Sequence, residues 1–394
     1  MKYELASSSW DEKEIAAMHA VIDRGFFTMG DAVKQFESDF AAKFKSKYAL
    51  MTSSGSTANL LGVAALSYRE NNPLQRGDEV IVPAISWATT YYPLQQYGLK
   101  LKFVDVDLQT LNMDVSQLEA ALTPKTKMVV AVSILGNPAE LIKMREFCDA
   151  HDLILFEDNC ESMGAKLGGQ LAGTFGDIGT FSSFFSHHIA TMEGGMLITD
   201  DEEIYAIAKS MRAHGWSRDI QGSSVFEQKD DEFFEGYRFL FPGYNARPLE
   251  LSGAIGVEQL TKLDGLVQQR RDNALKFVEL FSKDERFIIQ QENGESSWFS
   301  FTIILNPKLG DVREKVMAAM RAAEIQFRLV TGGCFLRHDV IRYFDYDVVG
   351  NVDNANIVHD RGFFVGNHPC DIRPQIDYLY QVLSDATPHH LASN

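Results

Sequence analysis

The chain has 394 residues, 45% of them hydrophobic, and a formal net charge of −17. That much apolar matter can fill a large core and argues for two domains rather than for disorder. The acidic balance repels phosphate backbones and anionic lipid, so neither nucleic acid nor a membrane surface is a natural partner, and an anionic ligand needs locally placed donors.

The chain begins MKYELASSSWDEKE, which lacks the basic stretch and apolar run of a signal peptide, and no run long enough to span a bilayer follows. A cytoplasmic protein is expected. Cys148, Cys160, Cys334 and Cys370 lie far apart without a CxxC pair, which predicts reduced thiols and neither a structural metal nor an iron–sulfur cluster.

Short apolar or β-branched runs then recur at Tyr48 to Met51, Glu79 to Val82, Leu101 to Val104, Lys127 to Ser133, Leu153 to Phe156, Gly179 to Ser182 and Met196 to Thr199, with amphipathic stretches between them. Strands alternating with helices predict an α/β fold around a mostly parallel, covered sheet, with ligands bound beyond the carboxyl ends of the strands. Residues 218–235 read as a long polar excursion. From about Leu249 a long helical pattern leads toward a smaller second domain, so the domains are placed at 1–250 and 251–394, with 386–394 as a loose tail.

The candidate chemistry falls at those strand ends. Ser53-Ser54-Gly55-Ser56-Thr57 opens a helical run, where free N–H groups and a helix dipole suit a phosphate, although the same residues serve equally well as an ordinary N-cap. Ser86-Trp87 offers an aromatic face for a flat ring, or a core residue. Phe156-Glu157-Asp158-Asn159-Cys160-Glu161 ends an apolar strand in acids that can meet a protonated ring nitrogen, or that cap a loop. His187-His188 follows a strand and precedes Gly194-Gly195. A free histidine titrates at about 6.5 and can act as a base near neutrality, while a structural role is the bland alternative. Metal binding by the pair is disfavoured because neighbours on a strand point to opposite faces. Gly243-Tyr244-Asn245-Ala246-Arg247-Pro248 is a polar turn.

Taken in order, SSGSTANL, ISW, FEDNCE, FGDIGTFSS, EGG and GYNARP resemble the sugar aminotransferase family of aspartate-aminotransferase-like, fold-type I pyridoxal-phosphate proteins, over nearly the whole chain. The resemblance implies a large cofactor-binding domain and a smaller C-terminal α+β domain. It also implies that Gly55, Ser56 and Ser182 hold the cofactor phosphate, Asp158 pairs with the ring nitrogen, Glu161 lies near the ring hydroxyl, Trp87 stacks on the ring, and Asn245 reaches across a homodimer interface. The family's reactive lysine belongs six residues before the glutamate of EGG and six after Phe181, and both counts land on His187. A one-residue shift would exchange it with His188.

Imidazole cannot form the Schiff base that lysine forms. The departure resembles the sugar 3-dehydratases of the same family, and it implies a noncovalent cofactor cycling between pyridoxal phosphate and pyridoxamine phosphate. L-Glutamate is then the amino donor and a GDP-linked 4-keto-6-deoxy sugar the substrate. His187 takes a proton from the cofactor's aminomethyl carbon, the C3 hydroxyl departs, and the released enamine hydrolyses to a 3,6-dideoxy-4-keto sugar and ammonia. His214, Arg218, Arg247 and Arg328 are candidate contacts for sugar or diphosphate. Rival readings are a 4-aminotransferase in which Lys166 or Lys209 replaces the missing lysine, and a noncatalytic binding module on the same fold.

Overall fold

The computed structural model describes residues 1–220, 223–389 and 391. Parts of the 218–235 excursion and of the C-terminal tail therefore lie outside the described residues. The strands are β1 (Tyr48–Thr52), β2 (Glu79–Pro83), β3 (Lys100–Val104), β4 (Thr126–Val132), β5 (Ile154–Asp158), the small hairpin β6 (Lys166–Leu167) and β7 (Gln170–Leu171), β8 (Ile178–Ser182), β9 (Gly195–Thr199), β10 (Phe287–Ile289), β11 (Ser300–Leu305), β12 (Phe327–Arg328), β13 (Tyr346–Val348) and β14 (Gly362–Gly366). The helices are α1 (Glu12–Arg24), α2 (Asp31–Phe44), α3 (Gly55–Tyr68), α4 (Ala88–Gln96), α5 (Leu118–Ala121), α6 (Leu141–Ala150), α7 (Glu202–Arg212), α8 (Glu232–Glu235), α9 (Glu250–Phe281), α10 (Arg313–Ala322), α11 (Asp353–Arg361) and α12 (Arg373–Ala386).

The main sheet has eight strands in the order β1-β9-β8-β5-β4-β2-β3-β13. All neighbours run parallel except β9, which is antiparallel to both β1 and β8. Its central strands are apolar on both faces because helices cover both. Val80, Val82, Val130 and Phe156 enter one core, while Ile81, Val129, Ala131 and Leu155 enter the other. The parallel order puts the ends of β1, β5 and β8 along one rim, which is where the polar motifs begin.

The second sheet, β10-β11-β14-β12, is antiparallel throughout. Helix α9 joins the two bodies; its 32 residues extend about 48 Å at about 1.5 Å per residue. Leu260, Leu263 and Val267 pack with Phe36 and Phe40 of α2, whereas Phe277 and Phe281 lie in the second core with Phe301 and Ile303. Segments on either side of residue 250 are exchanged between the bodies. Tyr3 is buried in the second core with its hydroxyl donating to the Gly366 carbonyl (2.6 Å), and β13 returns to extend the main sheet beside β3. Among the described residues no helix is long and apolar enough to cross a membrane.

The end of β8 is fixed from beneath by an aromatic cluster. The Phe40 ring stacks on Phe44 at 4.4 Å and meets Phe181 at 5.2 Å, and all three side chains are buried. Phe40→Ala is expected to cost about 3–5 kcal/mol by leaving a cavity, measured by urea unfolding. A loss below about 1 kcal/mol would mean that the cluster does not carry this packing.

Candidate active site

After β1 the chain turns through Ser53 and Ser54 into α3. The Ser54 hydroxyl accepts from the Thr57 N–H (3.2 Å) and the Thr57 hydroxyl accepts from the Ser54 N–H (2.9 Å), a reciprocal cap. Gly55 and Ser56 then head the helix with N–H groups that no helical carbonyl can reach. The turn is therefore both the N-cap and the donor pair that the sequence left as alternatives. A Cβ on Gly55 would lie 2.7 Å from Cys160 Sγ and 2.7 Å from Ser182 Cβ, so only glycine lets the ends of β5 and β8 approach this closely. Ser56 Oγ donates to Thr89 Oγ1 (2.9 Å) near Trp87, whose side chain is 60% exposed.

Asp158 ends β5 and is 5% exposed. One oxygen accepts from Asn59 Nδ2 (2.8 Å) and Thr90 Oγ1 (2.7 Å), and the other accepts from the Cys160 N–H (3.2 Å). The Asn59 amide is itself oriented by Thr180 Oγ1, which donates to its carbonyl at 2.6 Å. Burial, with Asp158 and Glu161 alongside, pushes the Cys160 thiol well above its ordinary range and leaves it protonated and unreactive. Glu161 accepts from the Leu135 N–H (2.9 Å), and burial together with Asp158 pushes its carboxyl up to about 8. At neutral pH it therefore carries a proton that it can donate.

Ser182 is buried at the end of β8, and its hydroxyl accepts from the Phe184 N–H (3.3 Å). The chain then leaves the strand. The two histidines lie on a turn rather than on alternating faces of a strand, which corrects the geometric reason given against metal binding by the pair. His188 is fully buried with Nε2 on the Ser297 carbonyl at 3.1 Å. His187 is partly exposed and its Nδ1 meets no partner; its ring packs edge-on against Phe299 with centroids 5.1 Å apart. Burial, then the nearby Arg270 charge, lowers His187 to about 4 and His188 well below its ordinary value. Both imidazoles are neutral at pH 7.

The ASSSW segment secures this turn from outside. Trp10 Nε1 donates to the Ala190 carbonyl (2.7 Å), and Gln259 Oε1 accepts from both the Ala190 N–H (3.0 Å) and Ser9 Oγ (2.7 Å). The structure thus gathers Gly55, Ser56, Asp158, Glu161 and Ser182 at one rim with the His187 turn leading from it. It also brings in Asn59, Thr90, Leu135, Arg270 and Phe299, which sequence reasoning missed. Other candidates stand apart within this chain. Asn245 is exposed and accepts from Arg247 Nε (3.0 Å), while Arg218 lies 3.6 Å over the Trp216 ring, which also packs on His214. Arg328 is exposed on β12.

These residues fit a pyridoxal phosphate group. The glycine cradle and two N–H groups suit its phosphate, Asp158 suits its ring nitrogen, and a protonated Glu161 suits its ring hydroxyl. Lys166 and Lys209 line two other cavities, one beside Ser46 and Thr199 and one beside Tyr48 and Tyr205, at the start of β1 rather than at its end.

Comparison with known proteins gives the same picture. The model of the DegT/DnrJ/EryC1/StrS aminotransferase family matches residues 8–373. GDP-4-keto-6-deoxy-D-mannose 3-dehydratase of Escherichia coli O55:H7 is 51% identical over 97% of this chain and 100% of its own length. The enzyme of that name from Yersinia pseudotuberculosis is 52% identical over 97% and 98%. Three solved structures of a GDP-4-keto-6-deoxymannose 3-dehydratase are each 51% identical. One holds a trapped PLP–glutamate geminal diamine (TM-score 0.95, covering 97% of this chain and 100% of that one). A second is a histidine-to-asparagine variant with bound GDP-perosamine (0.93, covering 97% and 100%). In the third, a histidine is changed to lysine and the serine before it to asparagine (0.93, covering 96% and 100%).

A carboxyl raised to about 8 binds its proton more tightly folded than unfolded, so its stabilising contribution is complete below about 4.5 and is lost as pH rises through 8. Glu161→Gln, which mimics the protonated form, is expected to unfold at a higher temperature than the parent above pH 8, with the gap closing toward pH 5. Parallel melting curves across that range would contradict the assignment.

Proposed function

Because the chain belongs to the DegT/DnrJ/EryC1/StrS aminotransferase family, we propose that it is a dehydratase dependent on pyridoxal phosphate and pyridoxamine phosphate. It removes the C3 hydroxyl of GDP-4-keto-6-deoxy-D-mannose to give GDP-4-keto-3,6-dideoxy-D-mannose. L-Glutamate supplies the amino group, and 2-oxoglutarate and ammonia are released. The observation that carries this reading is an imidazole, His187, in the place of a lysine amine. The solved variant altered at a serine and the histidine after it supports His187 over His188, because Ser186-His187 is the one place in this chain where histidine directly follows serine.

When bound, the cofactor supplies an electron sink and, in its amine form, the nitrogen that engages the sugar ketone. The rest is the work of side chains. Gly55, Ser56 and Ser182 bind the phosphate, Trp87 covers the ring, Asp158 meets the ring nitrogen, and Glu161 donates to the ring hydroxyl. His187, neutral at pH 7 and bonded to nothing in its own chain through Nδ1, is free to accept a proton from the aminomethyl carbon and to return one to the departing C3 hydroxyl. It has no primary amine with which to recapture the cofactor, so nitrogen leaves with the product and is lost as ammonia.

The working unit is a homodimer in the cytoplasm. Trp87, Phe184, Phe185 and Met192 are large apolar side chains left exposed around the site, and they suit cover by a second copy whose Asn245 completes it. His214, Arg218, Arg247 and Arg328 are the cations and donors offered to sugar and diphosphate. A 4-aminotransferase is disfavoured because Lys166 and Lys209 both lie at the other end of β1.

Incubation with glutamate, pyridoxal phosphate and GDP-4-keto-6-deoxy-D-mannose is expected to yield a product lacking the C3 oxygen, together with one equivalent of ammonia. A stable 4-amino sugar overturns the proposal. His187→Asn is expected to lower kcat by about 10²–10⁴-fold, the usual worth of a general acid–base, with cofactor still bound. His188→Asn should instead lower thermal stability, having lost its bond to Ser297. The reverse pattern would exchange the two roles.

A further inference from the structure

His187 Nδ1 meets no partner and the ring's polar contact is with the Phe184 backbone of its own turn, so packing against the rest of the fold has the larger share in setting the direction of the imidazole. The Phe299 ring lies against it at 5.1 Å and 61°, and Phe184 touches it at 6.0 Å from its own turn. Phe299 ends the segment that runs from β10 to β11, and both of its backbone polar groups are tied. Its N–H donates to the Leu135 carbonyl (3.0 Å), and its carbonyl accepts from Arg270 Nη1 (3.0 Å). The same Arg270 nitrogen also reaches the Asn367 carbonyl, and the guanidinium is 4% exposed within α9. Leu135, held at φ 51°, gives its N–H to Glu161 and its carbonyl to Phe299.

One rigid frame therefore runs from the Glu161 carboxyl through Leu135 to Phe299 and on to the His187 ring. We propose that Phe299, fixed at both backbone groups by Leu135 and Arg270, is the positioning residue that orients the His187 imidazole for proton transfer. This rests on the reading of His187 as the base. A side chain free to rotate about two torsions would spend most of its time misaimed, and a misplacement of about 1 Å can cost about 10²-fold. The charged and titratable groups around that imidazole are Arg270 from α9 and His188 on the same turn, with Arg271 acting on His188. Burial first, and then the Arg270 charge, disfavour a protonated His187 ring, so the frame that aims the base also keeps it in its proton-accepting form.

The test uses Phe299→Ala, Phe299→Tyr and His187→Asn. His187 is titrated by NMR in the cofactor-free chain, and kcat, KM and the acid limb of the kcat/KM profile are measured in the loaded enzyme. Phe299→Ala is expected to move the His187 titration upward from about 4 by at least one unit, to carry the acid limb with it, and to lower kcat tenfold or more at nearly constant KM. Phe299→Tyr, which keeps the ring, should restore all of these. If Phe299→Ala does not fold, Phe299→Leu gives the same comparison. An unmoved titration and acid limb in Phe299→Ala, with His187→Asn inactive, overturns the positioning role alone. An active His187→Asn overturns the assignment of the base itself.

Discussion

Three strand ends meet at one residue that has no side chain. Gly55 heads α3 at the point where Cys160, just beyond β5, and Ser182, the last residue of β8, come within 2.7 Å of where a Cβ would stand. Any other residue would push the helix start away from the two strands. The donors at the start of α3 would then no longer share a site with the acid of β5 and the turn after β8. The close approach is the reason that residues scattered from 55 to 187 converge on one rim, and it places the helix start where an anion is favoured by both its free N–H groups and its dipole.

Polar groups buried at such a junction are costly unless each finds a partner. Asp158 receives bonds from Asn59, Thr90 and the Cys160 backbone, Asn59 is oriented by Thr180, and Thr90 is bonded to Ser86 at 2.7 Å. The two acids of the pair then diverge by strand alternation. Glu157 points away from the site and is capped by the N–H groups of Gly173, Phe175 and Gly176 at 2.6 to 2.7 Å, with burial pushing it up to about 7. One acid therefore anchors the loop after β7 while the other faces the candidate site, although they are adjacent in sequence.

Seven of the eight main-sheet strands could be read from the sequence because their apolar runs are buried on both faces and bounded by turn residues. The eighth, β13, could not, since Tyr346, Asp347 and Val348 form a short, half-exposed edge. The strand-end motifs were legible for the same reason, as each is a compact local signature. In the sequence the histidine pair reads as following a strand, and only the three-dimensional structure separates a buried His188, bonded through Nε2 to the Ser297 carbonyl, from a partly exposed His187 packed against Phe299. Phe299, Arg270 and Leu135 carry no signature at all. They act mainly through backbone carbonyls and ring packing across long stretches of chain, and any phenylalanine or arginine in a core looks the same in sequence.

On the proposed reading, what distinguishes this site is a side chain, the His187 imidazole, that can move protons but cannot bond covalently to the cofactor. The departure from nitrogen transfer lies, on that reading, at the turn after β8, where His187 stands. Intact-mass analysis of the pyridoxal-phosphate-loaded chain after borohydride reduction and denaturation tests this most directly. The mass of the unmodified 394-residue chain is expected. A chain carrying one reduced cofactor on a lysine would contradict it.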